Sequence, residues 1–179
     1  MTMRTITDYA AVLLAALLLT ACSPSSDDAP ATATQTAGES SNGIDSDPPA
    51  IEETMVVYMT PWCGCCKVWA EQSIAAGFDI EIEEVQALHS VKEELGVPTG
   101  MGSCHTARIA DYFIEGHVPF DDIRRLLEER PDARGLAVPG MPVGSPGMEQ
   151  GDRRQAYDVY LVDDQGNAGV YNHYPAIEP

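Results

Sequence analysis

Basic side chains are scarce in this chain. Its 179 residues hold 10 Lys and Arg against 28 Asp and Glu, a formal net charge of −18. Phosphate neutralisation needs clustered Lys and Arg, so the balance argues against a nucleic-acid partner. The same shortage argues against polybasic docking on anionic lipid. A membrane span is also missing, because no apolar run approaches the roughly 20 residues that a helix needs to cross a bilayer. No internal repeat is visible. What the chain does have is 44% hydrophobic content, which suits a globular core and excludes wholesale disorder. Its length suits one domain with appendages. Five cysteines are left to explain in an acidic chain of this size.

The chain divides into three segments. Arg4 and the apolar run Ala10 to Leu19 read as the start and h-region of a signal peptide over residues 1–21. Leu19-Thr20-Ala21-Cys22 follows directly and resembles the bacterial lipobox, in which the cysteine is lipidated and becomes the mature N-terminus. That resemblance implies a lipoprotein on the periplasmic side of the bacterial envelope, held to the membrane only by its lipid; Ser23 after the cysteine implies the outer membrane. Ordinary signal cleavage, with Cys22 incidental, is the alternative. Residues 22–54 are rich in Ser, Thr, Ala, Asp and Pro and carry no Lys or Arg. They cannot bury enough apolar surface to offset ordering entropy, so they read as a disordered acidic tether. Residues 55–179 form the domain, long enough to fold without a disulfide framework.

Within the domain, Met55 to Met59 reads as a buried strand and Cys63 to Ala76 as a helix stopped by Gly77. Asp79 to Val85 alternates as a strand, and Leu88 to Leu95 is a short helix ended by Gly96. Ser103 to Ile109 and Asp111 to Glu115 suit two antiparallel strands. Pro119 to Glu129 has acids in its first turn and an apolar face of Ile123, Leu126 and Leu127, so it is an amphipathic helix. Residues 131–155 read as loop, and Tyr157 to Val162 with Ala168 to Tyr174 as a hairpin around Asp163-Asp164-Gln165-Gly166-Asn167. A β-α-β start requires a parallel pair with a right-handed crossover. The fold class is therefore α/β: a thioredoxin-like mixed sheet with flanking helices and a C-terminal β-hairpin.

The cysteines fall where chemistry is expected. Trp62-Cys63-Gly64-Cys65-Cys66 lies between the first strand and first helix and resembles the thioredoxin motif, with Cys65 in place of proline. Gly96-Val97-Pro98-Thr99 resembles the thioredoxin segment whose cis-proline faces the active cysteines. A helix N-terminus stabilises thiolates through its unpaired N–H groups and partial positive charge. Three sulfurs within four residues exceed what redox exchange requires, and converging thiolates suit a soft metal. Cys104 supplies a fourth thiol, either facing this group or lying inert in the core. Four thiolates also suit zinc, but Cys-x-Cys-Cys differs from the usual paired zinc spacing. Copper(I), in a site of one or more ions, fits better.

Outside the cysteines, Met141 and Met148 stand in a Pro- and Gly-rich loop as thioether ligands or as gap fillers. His117 and His105 are auxiliary candidates. Strand alternation predicts that Cys104 and His105 point to opposite faces.

Four stretches in order carry a wider resemblance: Trp62 to Cys66, Ser103 to Ala107, Glu115 to Pro119 and Pro139 to Met148. Together they resemble the CopG-type periplasmic copper resistance and metal-binding family, long described as a domain of unknown function. That resemblance implies copper binding at the Cys63, Cys65, Cys66 and Cys104 positions, with Met141, His117 and His105 auxiliary, and a role in bacterial copper resistance. It also implies interconversion of Cu(I) and Cu(II), and exchange with other periplasmic copper-handling proteins. No residue is assigned a catalytic role, so the chain reads as a copper-binding protein rather than an enzyme, with copper redox activity as the catalytic alternative. Two alternatives stand beside it: a thiol–disulfide oxidoreductase using Cys63 and Cys66, and a scaffold holding a structural zinc.

Overall fold

A computed structural model describes residues 53–178. The expected signal peptide, the Cys22 lipidation site and nearly all of the tether lie outside the described residues. Glu53 and Thr54, assigned to the tether's end, are already engaged with the domain: Glu53 pairs with Arg130 at 3.0 Å and the Thr54 hydroxyl donates to Asp79 at 2.7 Å.

The elements are β1 (Met55–Met59), α1 (Gly64–Ala75), β2 (Ile80–Glu84), α2 (His89–Glu94), β3 (His105–Ile109), β4 (Tyr112–Glu115), α3 (Phe120–Glu129), β5 (Gly135–Ala137), β6 (Tyr157–Val162) and β7 (Ala168–Tyr174). All seven strands form one mixed sheet in the order β2-β1-β3-β4-β5-β6-β7. β1 pairs parallel with β2 and antiparallel with β3, and β3 pairs antiparallel with β4. This β2-β1-β3-β4 half, with only β3 reversed, is the predicted thioredoxin-like arrangement. β5 joins β4 in parallel, and the β6–β7 hairpin completes the edge.

Strand alternation sorts side chains onto two faces. Met55, Val57 and Met59 of β1 join Ala107, Ile114 and Leu136 on one face, packed on Cys66, Trp69 and Ala70 of α1 and Ile123 and Leu126 of α3. On the other face Phe113, Ala137 and Val162 pack with Leu95, Val97 and Met101, next to α2. The α3 helix runs as predicted, with Asp121 and Asp122 in its first turn and Arg130 closing it at a φ of 47°. No helix among the described residues is long and apolar enough to cross a membrane.

Two expectations need correction. The segment 131–155 is not all loop, since β5 occupies a central place in the sheet. The Pro98 segment does not sit over the cysteines. Val97 packs on the α2 face, while Cys63, Cys65 and Cys104 border the α1 face. The residue directly before β3, where the thioredoxin proline would stand, is Cys104.

Candidate metal centre

The turn after β1 is closed by the Cys63 N–H donating to the Thr60 carbonyl at 3.1 Å. Cys63 is then the extended N-cap residue of α1, with no side-chain cap of its own and no acid in the first helical turn. The helix therefore presents its N–H groups and positive end toward Cys63, Cys65 and Cys66 without a competing carboxylate. Cys63 and Cys66 are joined as a disulfide, and Cys65 and Cys104 are free thiols. Cys65 Sγ lies 3.6 Å from Cys63 Sγ and 3.8 Å from Cys104 Sγ. Cys66 is fully buried, its sulfur 3.5 Å from the Cys104 carbonyl oxygen. The four sulfurs of Cys63, Cys65, Cys66 and Cys104 all lie within 4.8 Å of one another. Cys104 thus faces the motif, as the first of its two readings expected.

A second donor group shares Cys104. Donor atoms of Cys104, His105 and His117 also lie within 4.8 Å of one another. Cys104 Sγ is 3.1 Å from His117 Nε2 and 3.6 Å from His105 Nδ1. Cys104 and His105 therefore do not point to opposite faces. β3 begins at His105, two residues later than the sequence suggests, so Cys104 lies in the bend before the strand and is free of its pleat. Alternation governs only residues inside a pleated strand.

Each imidazole is held from behind. His117 Nδ1 lies 2.8 Å from the Pro146 carbonyl oxygen, a partner that fixes Nδ1 as the protonated nitrogen and leaves Nε2 facing the Cys104 sulfur as an acceptor. His105 packs against Trp69 in a tilted arrangement at 4.6 Å between centroids and meets His117 edge-on at 5.0 Å. Trp69 is itself pinned by donating Nε1–H to the Val118 carbonyl at 3.1 Å. His105 Nε2 is buried with no hydrogen-bond partner, and a buried polar atom left so is costly unless something else satisfies it.

The electrostatics agree with a metal-ligating role. Burial pushes the Cys104 thiol up to about 12, and the neighbouring Cys65 adds to the shift. Burial also lowers His105 well below its ordinary value, with His117 and Lys92 adding to it, and lowers His117 despite the Pro146 carbonyl. The imidazoles are accordingly neutral near pH 7, the form that ligates metal. A thiol so reluctant to ionise on its own loses its proton when a cation arrives to take its place. Helix-terminus activation, expected for the motif, does not extend to Cys104.

The loop carrying Met141 and Met148 folds over the start of α1. A Cβ placed on Gly147 would lie 2.9 Å from the Cys65 carbonyl oxygen. Met141 itself is 52% exposed and lines an open cleft with Pro142, Asp158 and Tyr160. Its neighbour Gly140 accepts from the Ser103 hydroxyl, one residue before Cys104. His89 and His173 pair with Glu93 and Asp158 respectively. Sequence reasoning missed Trp69 and Pro146. The signal for Trp69 was there, since it stands three residues after Cys66 on the same helical face.

The donor set can be matched to metals. Thiolate and imidazole converging in a buried site suit a soft or borderline ion, and two donor groups meeting at Cys104 suit a bridged pair or larger cluster.

The family described as "Protein of unknown function, DUF411" matches residues 101–148, a stretch holding Cys104, His105, His117 and the methionine loop. No curated protein matches the chain. Two solved structures do. "Copper resistance protein copG- Form 1" is 49% identical, with a TM-score of 0.66, covering 68% of this chain and 97% of that one. "Copper resistance protein copG- Form 2" is 51% identical, with a TM-score of 0.64, covering 69% of this chain and 98% of that one.

Proposed function

The chain belongs to the CopG family of copper resistance proteins, and from that premise we propose that it binds Cu(I) as its cargo in bacterial copper resistance. The observation that carries this reading is the convergence of Cys63, Cys65, Cys66 and Cys104 within 4.8 Å. Cys104 joins the thiols to His105 and His117, so the reading takes more than one ion per chain, with Cys104 as a bridge. Met141, on the exposed side of the loop, serves the access route rather than the buried centre. The lipid anchor at Cys22 and the acidic tether hold the domain on the periplasmic side of the envelope, where other copper-handling proteins deliver and receive the ion.

The disulfide supports the redox part of the proposal. Closing Cys63 and Cys66 from two thiols releases two protons and two electrons, which reduce two Cu(II) to two Cu(I). In reverse, two Cu(I) give up one electron each and become two Cu(II), and the disulfide takes up those two electrons and two protons to regenerate the thiols, so the same pair serves interconversion in either direction.

Anaerobic, fully reduced protein titrated against a chromophoric Cu(I) chelator is expected to hold more than one ion per chain, and Cys65→Ser is expected to lose most of that loading. Unchanged loading in Cys65→Ser removes the multi-thiolate centre. The Cys63–Cys66 disulfide is also the observation that favours a second reading, a thiol–disulfide oxidoreductase in which Cys65 is dispensable. Disulfide reductase turnover by metal-free Cys65→Ser, with no copper bound by the wild type, selects that reading instead.

A further inference from the structure

On the sheet face opposite the thiols lies a buried carboxylate that the copper reading does not use. Glu115, the last residue of β4, is fully buried. Its Oε1 accepts from the Lys92 ammonium and from the backbone N–H of Ser103. Its Oε2 accepts from the Thr106 hydroxyl at 2.6 Å. Lys92, on α2, also donates to the Thr106 oxygen at 2.8 Å. The network is closed, and every member is satisfied.

Its place in the chain gives it a consequence. Ser103 precedes Cys104, Thr106 follows His105, and Glu115 stands two residues before His117. One carboxylate therefore ties down all three segments that bring donors to the Cys104 centre, from behind the sheet and without touching a donor. The bend at Ser103 is held from its other side as well, by its hydroxyl bond to Gly140. Gly116 completes the fit: a Cβ there would come within 2.5 Å of the Ser103 side chain, so the Ser103 side chain packs where a larger residue at 116 would stand. A buried ion pair adds little net stability when compared with an apolar substitute. Stability alone is thus a weak reason to place one here, and orientation of the donors is a stronger one.

We propose that Glu115, with Lys92 and Thr106, is a positioning device that fixes Cys104, His105 and His117 for metal. The proposal rests on the copper reading above. Its test compares wild type, Glu115→Gln, Thr106→Val and Thr106→Ser as full domains. Measurements are Cu(I) affinity by chelator competition, metal-free Tm, and the Cu–thiolate ultraviolet spectrum. Thr106→Val leaves the Lys92–Glu115 pair in place and is the milder variant, so it decides the matter even if Glu115→Gln does not fold. Expected are an affinity loss of about 10- to 100-fold in Glu115→Gln, a loss in the same direction in Thr106→Val together with an altered Cu–thiolate spectrum, and recovery in Thr106→Ser. A folded Thr106→Val with wild-type affinity and spectrum overturns the proposal, as does a loss that merely tracks the unfolded fraction. Absence of Cu(I) binding by wild type would instead overturn the copper reading.

Discussion

Single residues set how closely the methionine loop approaches the thiols. Gly147 holds a φ of +80°, and a Cβ there would lie 2.9 Å from the Cys65 carbonyl oxygen and 3.0 Å from the Trp69 backbone nitrogen. Both obstacles are helix backbone, which cannot swing aside. Gly147→Ala is therefore expected to cost at least about 1–2 kcal/mol from the left-handed conformation alone, with steric displacement of the loop added. Urea unfolding of the metal-free protein measures this, and a variant as stable as wild type contradicts the close approach. Pro146, next to it, is the residue whose carbonyl orients His117, so the same substitution is expected to weaken copper binding too. At this scale the cysteine motif was legible because its spacing is local. The pairing of Cys104 with His105 was not, because it depends on where β3 begins, and a strand boundary is a matter of backbone pairing that a period-two pattern does not mark.

Among the elements, α3 is joined to the C-terminal hairpin by a buried acid rather than by apolar contact alone. Asp122 is 2% exposed and accepts from Asn172 Nδ2 at 2.9 Å and from the Tyr174 hydroxyl at 2.8 Å. Tyr174 stacks on Tyr157 at 4.8 Å. Burial, with the Asp122 carboxylate, raises Tyr174 above its ordinary range; burial raises Tyr157 to about 12. A phenol whose folded pKa exceeds its unfolded value of about 10 keeps its proton longer in the native state, so its contribution is fully present below about pH 10. It is lost as pH rises toward about 12. Alkaline titration is expected to show these two phenols ionising together with the loss of circular dichroism, and Tyr157→Phe is expected to move the alkaline midpoint upward. Ionisation of both near pH 10 in folded protein counts against the packing. The hairpin itself was readable from its alternation and turn residues, and α3 from its apolar face. β5 escaped because three residues, Gly135 to Ala137, cannot display a period. It is a strand because Phe113 to Glu115 and Tyr160 to Val162 pair with it on both sides, a purely tertiary cause. Pro98 misled for the opposite reason: the local string matched a known one, but Val97 beside it is drawn to Phe113 and Val162 on the other face.

The whole molecule rests its metal donors on an apolar core, with Cys66 inside it and His105 and His117 buried beside it. Met55, Val57, Trp69, Ile114, Ile123, Leu126 and Leu136 are fully buried among one another and offer no ligand atom to the centre, and a domain of this size buries roughly two-thirds of its unfolded surface. The remaining donors, Cys63, Cys65 and Cys104, lie along one border of that core and are only partly covered. Folding is therefore expected to proceed without metal, unlike that of a small zinc module whose binding energy is its folding energy. The metal-free, reduced protein is expected to unfold cooperatively with a well-defined Tm. Free Cu(I) at about a thousand times its Kd should add about 4 kcal/mol, a rise on the order of 10 °C for a domain of this length. Among the described residues the disulfide form leaves Cys65 and Cys104 as free thiols, so its rise with Cu(I) should be distinctly smaller and should recover on reduction. Calorimetric scans of reduced and oxidised protein, each with and without Cu(I), measure all four states. Collapse of the fold on metal removal would restore the structural-zinc reading, and equal copper stabilisation of both redox states would show that Cys63 and Cys66 take no part in holding the ion.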